Sequence, residues 1–545
     1  MKSKYVPLII AVALSVGVYV GFFFAQRQQS GVIDIFDSSS DNFLQSKTSA
    51  LLNMIESQYV DTVDLAQIEE KILPEVIKML DPHSSYISAK DIEEVNSDLS
   101  GSFSGIGVQF NLQNDTIYVV DVIRGGPSEK AGLLAGDRIV EVNDTVFVGK
   151  EINNEKVIKK LRGKKHTNVK LGIKRRNTKE LLYYNVVRDD IPVHSVEVAY
   201  MITPQIGYIL VSKFGAKTYS EFLTAIAKLK NQGASEFIVD LRGNSGGYLD
   251  AAINMINEFL VRGQLIVYTE GKSYPRSEAI ANGVGSCKTD PMVVLIDEFS
   301  GSASEIFAGA IQDNDRGLII GRRSFGKGLV QQQIPFSDNS AVRLTVARYY
   351  TPSGRCIQKP YEMGNSEDYE KEILNRYEHG EFYSQDSIKQ QDSVRYKTLN
   401  GRIVYGGGGI MPDVFVPSDT SDITPFFTKL VNHGVIYKFA LNYSDENRAL
   451  LKSKKDWEAL EYFLDEKNLI AELVQFAQKR EIVANSAELK KSERLIKRQL
   501  YAYIARNTFG EEDFYRVLNR TDVCVQTAIS RLNDKEKYYK TLLQE

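Results

Sequence analysis

The chain has 545 residues, a hydrophobic fraction of 43% and a formal net charge of −3 at pH 7. That length holds several domains with real cores, and the near-zero charge gives no support for nucleic acid as a partner. The three cysteines, Cys287, Cys356 and Cys524, are widely spaced and form no C-x-x-C pattern, which argues against a disulfide framework and a zinc site. No metal constellation is visible, and no cofactor is expected.

Lys2 and Lys4 precede an apolar run from Val6 to Ala25, long enough to span a bilayer. The run exceeds a usual signal-peptide core, and Phe23 spoils a small-x-small cleavage site before Gln26. The expectation for residues 1–30 is a single-pass anchor in the cell inner membrane. The positive residues would stay cytoplasmic and the remainder would lie in the periplasm or another extracytoplasmic space. A cleaved signal segment is the rival reading.

Gln26 to Ser40 is a polar, Ser-rich tether. Residues 41–97 form a helical region. Leu44, Leu51, Leu52, Ile55 and Tyr59 supply one apolar helix face, and Ile68, Ile72, Val76 and Leu80 another. LDPHSSYIS (Leu80 to Ser88) stops the second helix with a proline, and His83 reads there as a turn-stabilising residue.

Residues 98–190 are the next block. FSGIGVQF (Phe103 to Phe110) sets Gly105 and Gly107 around Ile106 at the start of an alternating strand. GGPSEKAGLLAGDRIVEVND (Gly125 to Asp144) follows, then a helical segment from Asn153 to Leu161 and a strand through Val169, Leu171 and Ile173. As an ordered set this resembles a PDZ domain. In that fold a glycine-containing loop aims backbone N–H groups at a peptide's terminal carboxylate while the peptide adds to a sheet edge. The resemblance implies a carboxylate on the amides of Gly105, Ile106, Gly107 and Val108. Side-chain selection would then fall to Ile106, Val108, Val157 and Ile158.

Residues 191–417 alternate between strand and helix. Ile206 to Phe214 reads as a strand, Tyr219 to Leu229 as a helix, and Phe237 to Leu241 as a strand running into Arg242-Gly243-Asn244-Ser245-Gly246-Gly247. That run is a flexible loop or a phosphate cradle, although the lysine and Ser/Thr pair of a P-loop is missing. Val293 to Ile296 reads as a buried strand. It is followed by the cluster Ser300-Gly301-Ser302 and helical spacing through Ile306, Ala310 and Ile311. A second apolar run, Leu318 to Ile320, leads to the glycine-flanked lysine of Ser324-Phe325-Gly326-Lys327-Gly328. Ser302 would sit at the helix entrance, where free amides and the helix dipole favour an anion. The Ala303 amide could then face the oxygen of a tetrahedral intermediate. Ser302 to Glu305 also fits a capping box, and no G-x-S-x-G surrounds Ser302, so the α/β-hydrolase elbow is not the template.

A hydroxyl nucleophile needs a base. The five histidines, His83, His166, His194, His379 and His433, lie in unrelated contexts. A lysine made neutral by burial can take their part, and Gln331, four residues beyond Lys327, could hold its amine. GSASE followed by GRRSFGKGLVQ resembles the carboxy-terminal processing peptidases, or tail-specific proteases, with a likeness running over roughly 42 to 416. It implies an α/β (crotonase-like) serine peptidase core with Ser302 as nucleophile, Lys327 as general base and Gln331 as its orienter. The similar D-L-R-x-N-x-G-G turn implies that the amide of Gly246 or Gly247 completes an oxyanion hole with Ala303. Ser245 stands where family members often have proline. Asp313, in the QDN segment after Ser302, is a candidate support for the site, and the DPHS-Tyr segment has a counterpart in the family.

Residues 361–400 are rich in Glu, Asp, Gln, Ser and Tyr and read as an exposed insertion with one short helix around Tyr369 to Tyr377. Residues 418–545 are charged and helical in period, with Trp457, Leu460, Phe463 and Leu464 on one face. They suit a cap, a homo-oligomer surface or an adaptor platform. The expectation is a multidomain α/β protein: a membrane-tethered serine endopeptidase acting on proteins with free C-termini. The rival is a catalytically inert PDZ adaptor, against which the intact Ser302, Lys327 and Gln331 count.

Overall fold

The computed structural model describes residues 46–543 except residues 114, 124, 176–177 and 389–393. The apolar run Val6 to Ala25 lies outside the described residues, and no helix among those described is long and apolar enough to cross a membrane. The described residues fall into two compact units, one ending at Glu75 and the other beginning at Val76. The described part of the first is helical, with Ser46 capping the helix Lys47–Gln58 by accepting the Ser49 amide.

In the second unit, alternating apolar residues build an antiparallel sheet ordered Val108–Gln113, Thr116–Val122, Arg138–Val142, Asn168–Lys174 and Leu182–Val187. The helix Asn154–Leu161 closes the core of this sheet through Val157 and Leu161. The strand Val108–Gln113 lies at one edge, open to addition of a further strand. The structure divides the four residues expected to select side chains. Ile106 and Val157 are buried in the domain's own core, whereas Val108 and Ile158 are half-buried and have surface to offer.

The α/β core starts from runs that are apolar throughout. Ile206–Val211 and Met292–Ile296 are buried at every position, as strands covered on both faces must be. They belong to a six-stranded sheet ordered Val196–Met201, Ile206–Val211, Glu236–Asp240, Met292–Ile296, Leu318–Gly321 and Val414–Phe415. The first pair is antiparallel and the rest are parallel. One face packs on the helices Thr218–Asn231, Leu249–Asn257 and Ala303–Asp313. The other face is covered from the far end of the chain by Cys524, Val525, Ala528, Leu532, Tyr538 and Leu542, on the helices Val523–Asn533 and Lys535–Leu543. The C-terminal region thus supplies a layer of the α/β sandwich, while its preceding helices hold a separate core around Phe426, Leu460 and Leu500.

A second sheet, wholly antiparallel, carries the lysine side of the site. Its long strand Ala341–Tyr350 pairs with Ser85–Ile87, Leu265–Glu270 and Leu329–Pro335. Ser277–Ile280 pairs onward from Leu265–Glu270.

Candidate active site

Ser302 caps the helix Ala303–Asp313 with φ 53° and ψ −114°, a left-handed conformation that costs a side-chain-bearing residue energy and is held only by its surroundings. The turn from the strand Met292–Ile296 into this helix therefore works as a strained elbow, although it lacks the glycine signature of the α/β-hydrolases. The Glu305 carboxylate takes the Ser302 amide at 2.8 Å, and the Glu305 amide donates to the Ser302 carbonyl at 2.9 Å.

Glu305 is fully buried and reaches beyond its own helix. It also accepts from the Lys327 amide at 2.8 Å, the Gly326 amide at 2.7 Å and the Ser324 hydroxyl at 2.5 Å. Burial pushes its carboxyl up to about 7 against the pull of these four donors. Tyr349, buried on the long strand, sets its hydroxyl between the carbonyls of Ser302, at 3.1 Å, and Lys327. Two side chains thus hold the serine and lysine backbones together, one by their amides and one by their carbonyls. Sequence reasoning assigns Glu305 only to the helix cap and gives Tyr349 no role. The signal for Glu305 was its place three residues after Ser302; nothing marks Tyr349.

The glycine turn packs against the serine. A Cβ on Gly246 would lie 2.6 Å from Ser302 Cβ and 2.9 Å from the Ala303 nitrogen, so only glycine allows this approach. Buried Asn244 laces the two loops. Its carbonyl accepts from the Gly301 amide at 3.0 Å and the Ser304 hydroxyl at 2.8 Å, and its side-chain oxygen takes the Gly246 amide at 2.9 Å. The two glycines that sequence alone leaves equivalent are thereby distinguished. The amide of Gly246 is occupied, whereas those of Gly247 and Ala303 have no partner among the described residues. Arg242, in the same turn, pairs with Asp240 at 2.6 Å and with Asp522 of the C-terminal helices at 3.0 Å.

The Lys327 amine is held below its ordinary value, first by burial and then by the Arg343 charge, with Glu305 and Asp81 pulling the other way. Its Nζ has no hydrogen-bond partner among the described residues, so it is joined neither to Ser302 Oγ nor to Gln331. The Gln331 amide instead donates to Thr345 Oγ1 at 3.3 Å. In a ligand-free site such contacts are often loose and tighten only around substrate. His83 comes close enough to feel the Lys327 charge. Burial and then that charge lower its imidazole to about 4, and its Nε2 meets the Tyr369 hydroxyl at 2.8 Å.

Two expectations are corrected. Asp313 lies at the opposite end of the nucleophile's helix, about 16 Å along its axis at 1.5 Å per residue. It pairs there with buried Arg355 at 2.7 Å and anchors the segment Thr351 to Gln358. The insertion is not merely exposed. Its helix Ser366–Glu378 buries Tyr369 and Arg376, and Arg376 bonds the carbonyls of Arg323 and Ser324 beside the lysine while pairing with buried Glu381. The polar composition of 361–400 concealed this because a buried arginine–glutamate pair has the same composition as an exposed one. Among the described residues no group of three or more His, Cys, Asp or Glu could hold a metal ion.

A strained serine at a helix head, its backbone amide sharing the Glu305 carboxylate with that of a buried lysine, marks this as the candidate catalytic centre. Residues 205–370 match peptidase family S41, residues 104–186 a PDZ domain, and residues 426–510 a family of unknown function. The chain is 37% identical over 313 residues to a carboxy-terminal-processing protease of Bartonella bacilliformis, spanning 56% of this chain and 71% of that protein. It is 30% identical over 370 residues to the carboxy-terminal processing protease CtpB of Bacillus subtilis, spanning 66% and 76% respectively. Among solved structures it is similar to the photosystem II D1 C-terminal processing protease, at 24% identity and a TM-score of 0.35 over 69% of this chain and 88% of that one. The chain belongs to the carboxy-terminal processing proteases, serine peptidases of family S41 that carry a PDZ domain.

Proposed function

We propose that this protein is a membrane-tethered endopeptidase on the extracytoplasmic side of the inner membrane. In this reading its PDZ domain takes up the C-terminus of a protein substrate and a Ser302/Lys327 dyad cleaves the chain. The apolar run Val6 to Ala25 supports the tether. The amides of Ile106 and Gly107, which have no partner among the described residues, support carboxylate capture beside the open edge of Val108–Gln113. The observation that carries the catalytic reading is the strained Ser302 tied through Glu305 to the Lys327 backbone.

In this mechanism neutral Lys327 Nζ takes the Ser302 proton as Oγ attacks the scissile carbonyl carbon. The oxyanion settles on the amides of Ala303 and Gly247. The lysine ammonium returns the proton to the leaving amine, and water then releases the acyl group by the same steps in reverse. An unperturbed lysine is about one part in two thousand neutral at pH 7. The lowering of Lys327 by burial is therefore what makes it serviceable.

The test is incubation of the detergent-solubilised full chain with an unfolded protein ending in a free apolar C-terminus, followed by mass spectrometry. Ser302→Ala, Lys327→Ala and Lys327→Arg should all abolish cleavage, since a guanidinium keeps its proton. Wild-type activity should rise with pH through one ionisation. Substantial cleavage by folded Lys327→Ala ends the dyad reading. Equal capture of the substrate and its C-terminally amidated twin ends the tail-capture reading.

A further inference from the structure

Asp81 opens the DPHS turn, which the dyad reading leaves without a task. The turn is docked by the pairing of Ser85–Ile87 with the long strand, Ser85 opposite Arg343. Asp81 is 8% exposed, and its carboxylate receives four donors: the His83 amide at 2.9 Å, the Ser84 amide at 3.0 Å, the Ser84 hydroxyl at 2.5 Å and the Thr345 hydroxyl at 3.0 Å. Thr345 also donates its amide to Ser84 Oγ at 3.0 Å, so turn and strand are fixed to each other. Across the ladder Thr345 faces Gln331, next to a bulge in that strand.

Proton direction runs one way along this chain. An ionised carboxylate only accepts, so the Thr345 hydroxyl proton points to Asp81. Thr345 Oγ1 can then offer only lone pairs to Gln331, and Nε2 is the end of the amide that meets it. Gln331 Oε1 is left as the acceptor. A neutral amine has two N–H bonds and a single lone pair. An amide oxygen that accepts one N–H leaves the lone pair for the Ser302 proton. A reversed amide would donate N–H into that lone pair and compete with the serine.

We propose that Asp81 and Thr345 are positioning residues: through the Thr345 hydroxyl they fix the polarity of the Gln331 amide, so that its oxygen serves the Lys327 amine. This rests on the Ser302/Lys327 reading. The charged or titratable groups around Lys327 are Glu305 from the nucleophile's helix, Arg343 and Tyr349 from the long strand, and Asp81 and His83 from the turn. Thr345→Val alters none of these charges.

The experiment measures kcat, KM and the activity–pH profile of the full chain on a peptide amide, with thermal unfolding as a check on folding. Thr345→Val should lower kcat about tenfold, the factor that goes with one ordinary hydrogen bond, with KM unchanged. Its rising limb should move to lower pH, because a released amide that turns its NH2 to the amine favours the neutral form. Thr345→Ser should restore kcat and the limb. In a Gln331→Ala background, Thr345→Val should cost nothing further. Should Thr345→Val fail to fold, Asp81→Asn, which removes the obligatory acceptor at constant size but also a charge that holds the Lys327 amine up, should lower kcat by less, and that loss should vanish in a Gln331→Ala background. A wild-type limb and kcat in the folded variant, a loss that serine does not rescue, or an undiminished loss without Gln331 each overturns the proposal. Lys327→Ala, run alongside, separates the two ideas. An inactive Lys327→Ala with a normal Thr345→Val ends only the positioning role, whereas an active Lys327→Ala ends the dyad beneath it.

Discussion

The two halves of the site are tied in different ways. On the nucleophile side, the backbone around Ser302 is bonded to its neighbours by Glu305, Asn244 and Tyr349, and the Gly246 backbone packs directly against the serine. On the lysine side the backbone is held as firmly, with Lys327 and Gly326 on Glu305 and Phe325 on the Ser300 carbonyl at 2.9 Å. Its working side chains are not: Lys327 Nζ is unbonded among the described residues, and Gln331 is turned to Thr345. The contrast shows where rigidity is needed. Strain at Ser302 persists only if its surroundings over-determine it. In the proposed mechanism Lys327 gains and loses a proton in each cycle, which a fixed main chain and a side chain free to move would serve.

Removing the shared tie should break both halves at once. Glu305→Ala leaves three amides and a hydroxyl without their acceptor in a buried place, so stability should fall by about 3 kcal/mol or more. Activity should fall more than about a hundredfold, because the serine and lysine backbones lose their common anchor. Denaturant unfolding and peptidase assays check the two effects, and an active, equally stable variant would show that the tie is dispensable. A single methyl group then compares the halves directly. Gly246→Ala forces a Cβ to within 2.6 Å of Ser302 Cβ, whereas Gly326→Ala meets Lys359 Cβ at 3.1 Å. Both positions have positive φ, so both variants carry backbone strain. In Gly246→Ala, however, the serine itself must move, and its kcat should fall about a hundredfold. Gly326→Ala should lose less than about tenfold, since its Cβ crowds Lys359 Cβ at 3.1 Å and the Gly409 nitrogen at 3.3 Å, away from the serine and with no contact under 3.0 Å. Equal losses would erase the distinction between the two sides.

Much of this arrangement was legible because its signals are local. The continuous apolar runs Ile206–Val211 and Met292–Ile296 announce strands covered on both faces, and the glycines around Ser302 and Lys327 mark close backbone approaches. What was not legible depends on long-range packing or on pitch. The strands Leu265–Glu270 and Leu329–Pro335 carry irregularities at Leu265/Val267 and Val330/Gln331 that break a period of two. Asp313 shares a helix with Ser302, and only the rise per residue shows it to be at the wrong end. The apolar face around Val525 and Leu532 declares a helix, but nothing local says that it covers the peptidase sheet. Capping box and nucleophile turn could not be separated within Ser302 to Glu305, because Glu305 serves the turn and the lysine loop together.

The last difference between the halves lies in their protons, and it can be read from stability alone. The nucleophile side holds a carboxyl whose folded pKa of about 7 exceeds its ordinary 4.5, so Glu305 keeps a proton that the unfolded chain has lost. The lysine side holds an imidazole whose folded pKa of about 4 is below its ordinary 6.5, so His83 refuses a proton that the unfolded chain accepts. Stability rises with pH where the unfolded state binds more protons. His83 therefore adds a slope that favours the folded state as pH climbs from 4 to 6.5, and Glu305 adds the opposite slope from 4.5 to 7. In the shared window the two oppose each other. His83→Gln removes one of them and keeps a partner for the Tyr369 hydroxyl. The difference in unfolding free energy between wild type and variant should then fall by roughly 3 kcal/mol as pH drops from 6.5 to 4. The variant alone should lose stability as pH rises through the Glu305 window. A wild-type–variant difference that stays constant between pH 4 and 6.5 would mean that His83 titrates like an exposed imidazole and that the lysine side is wetter than its packing indicates.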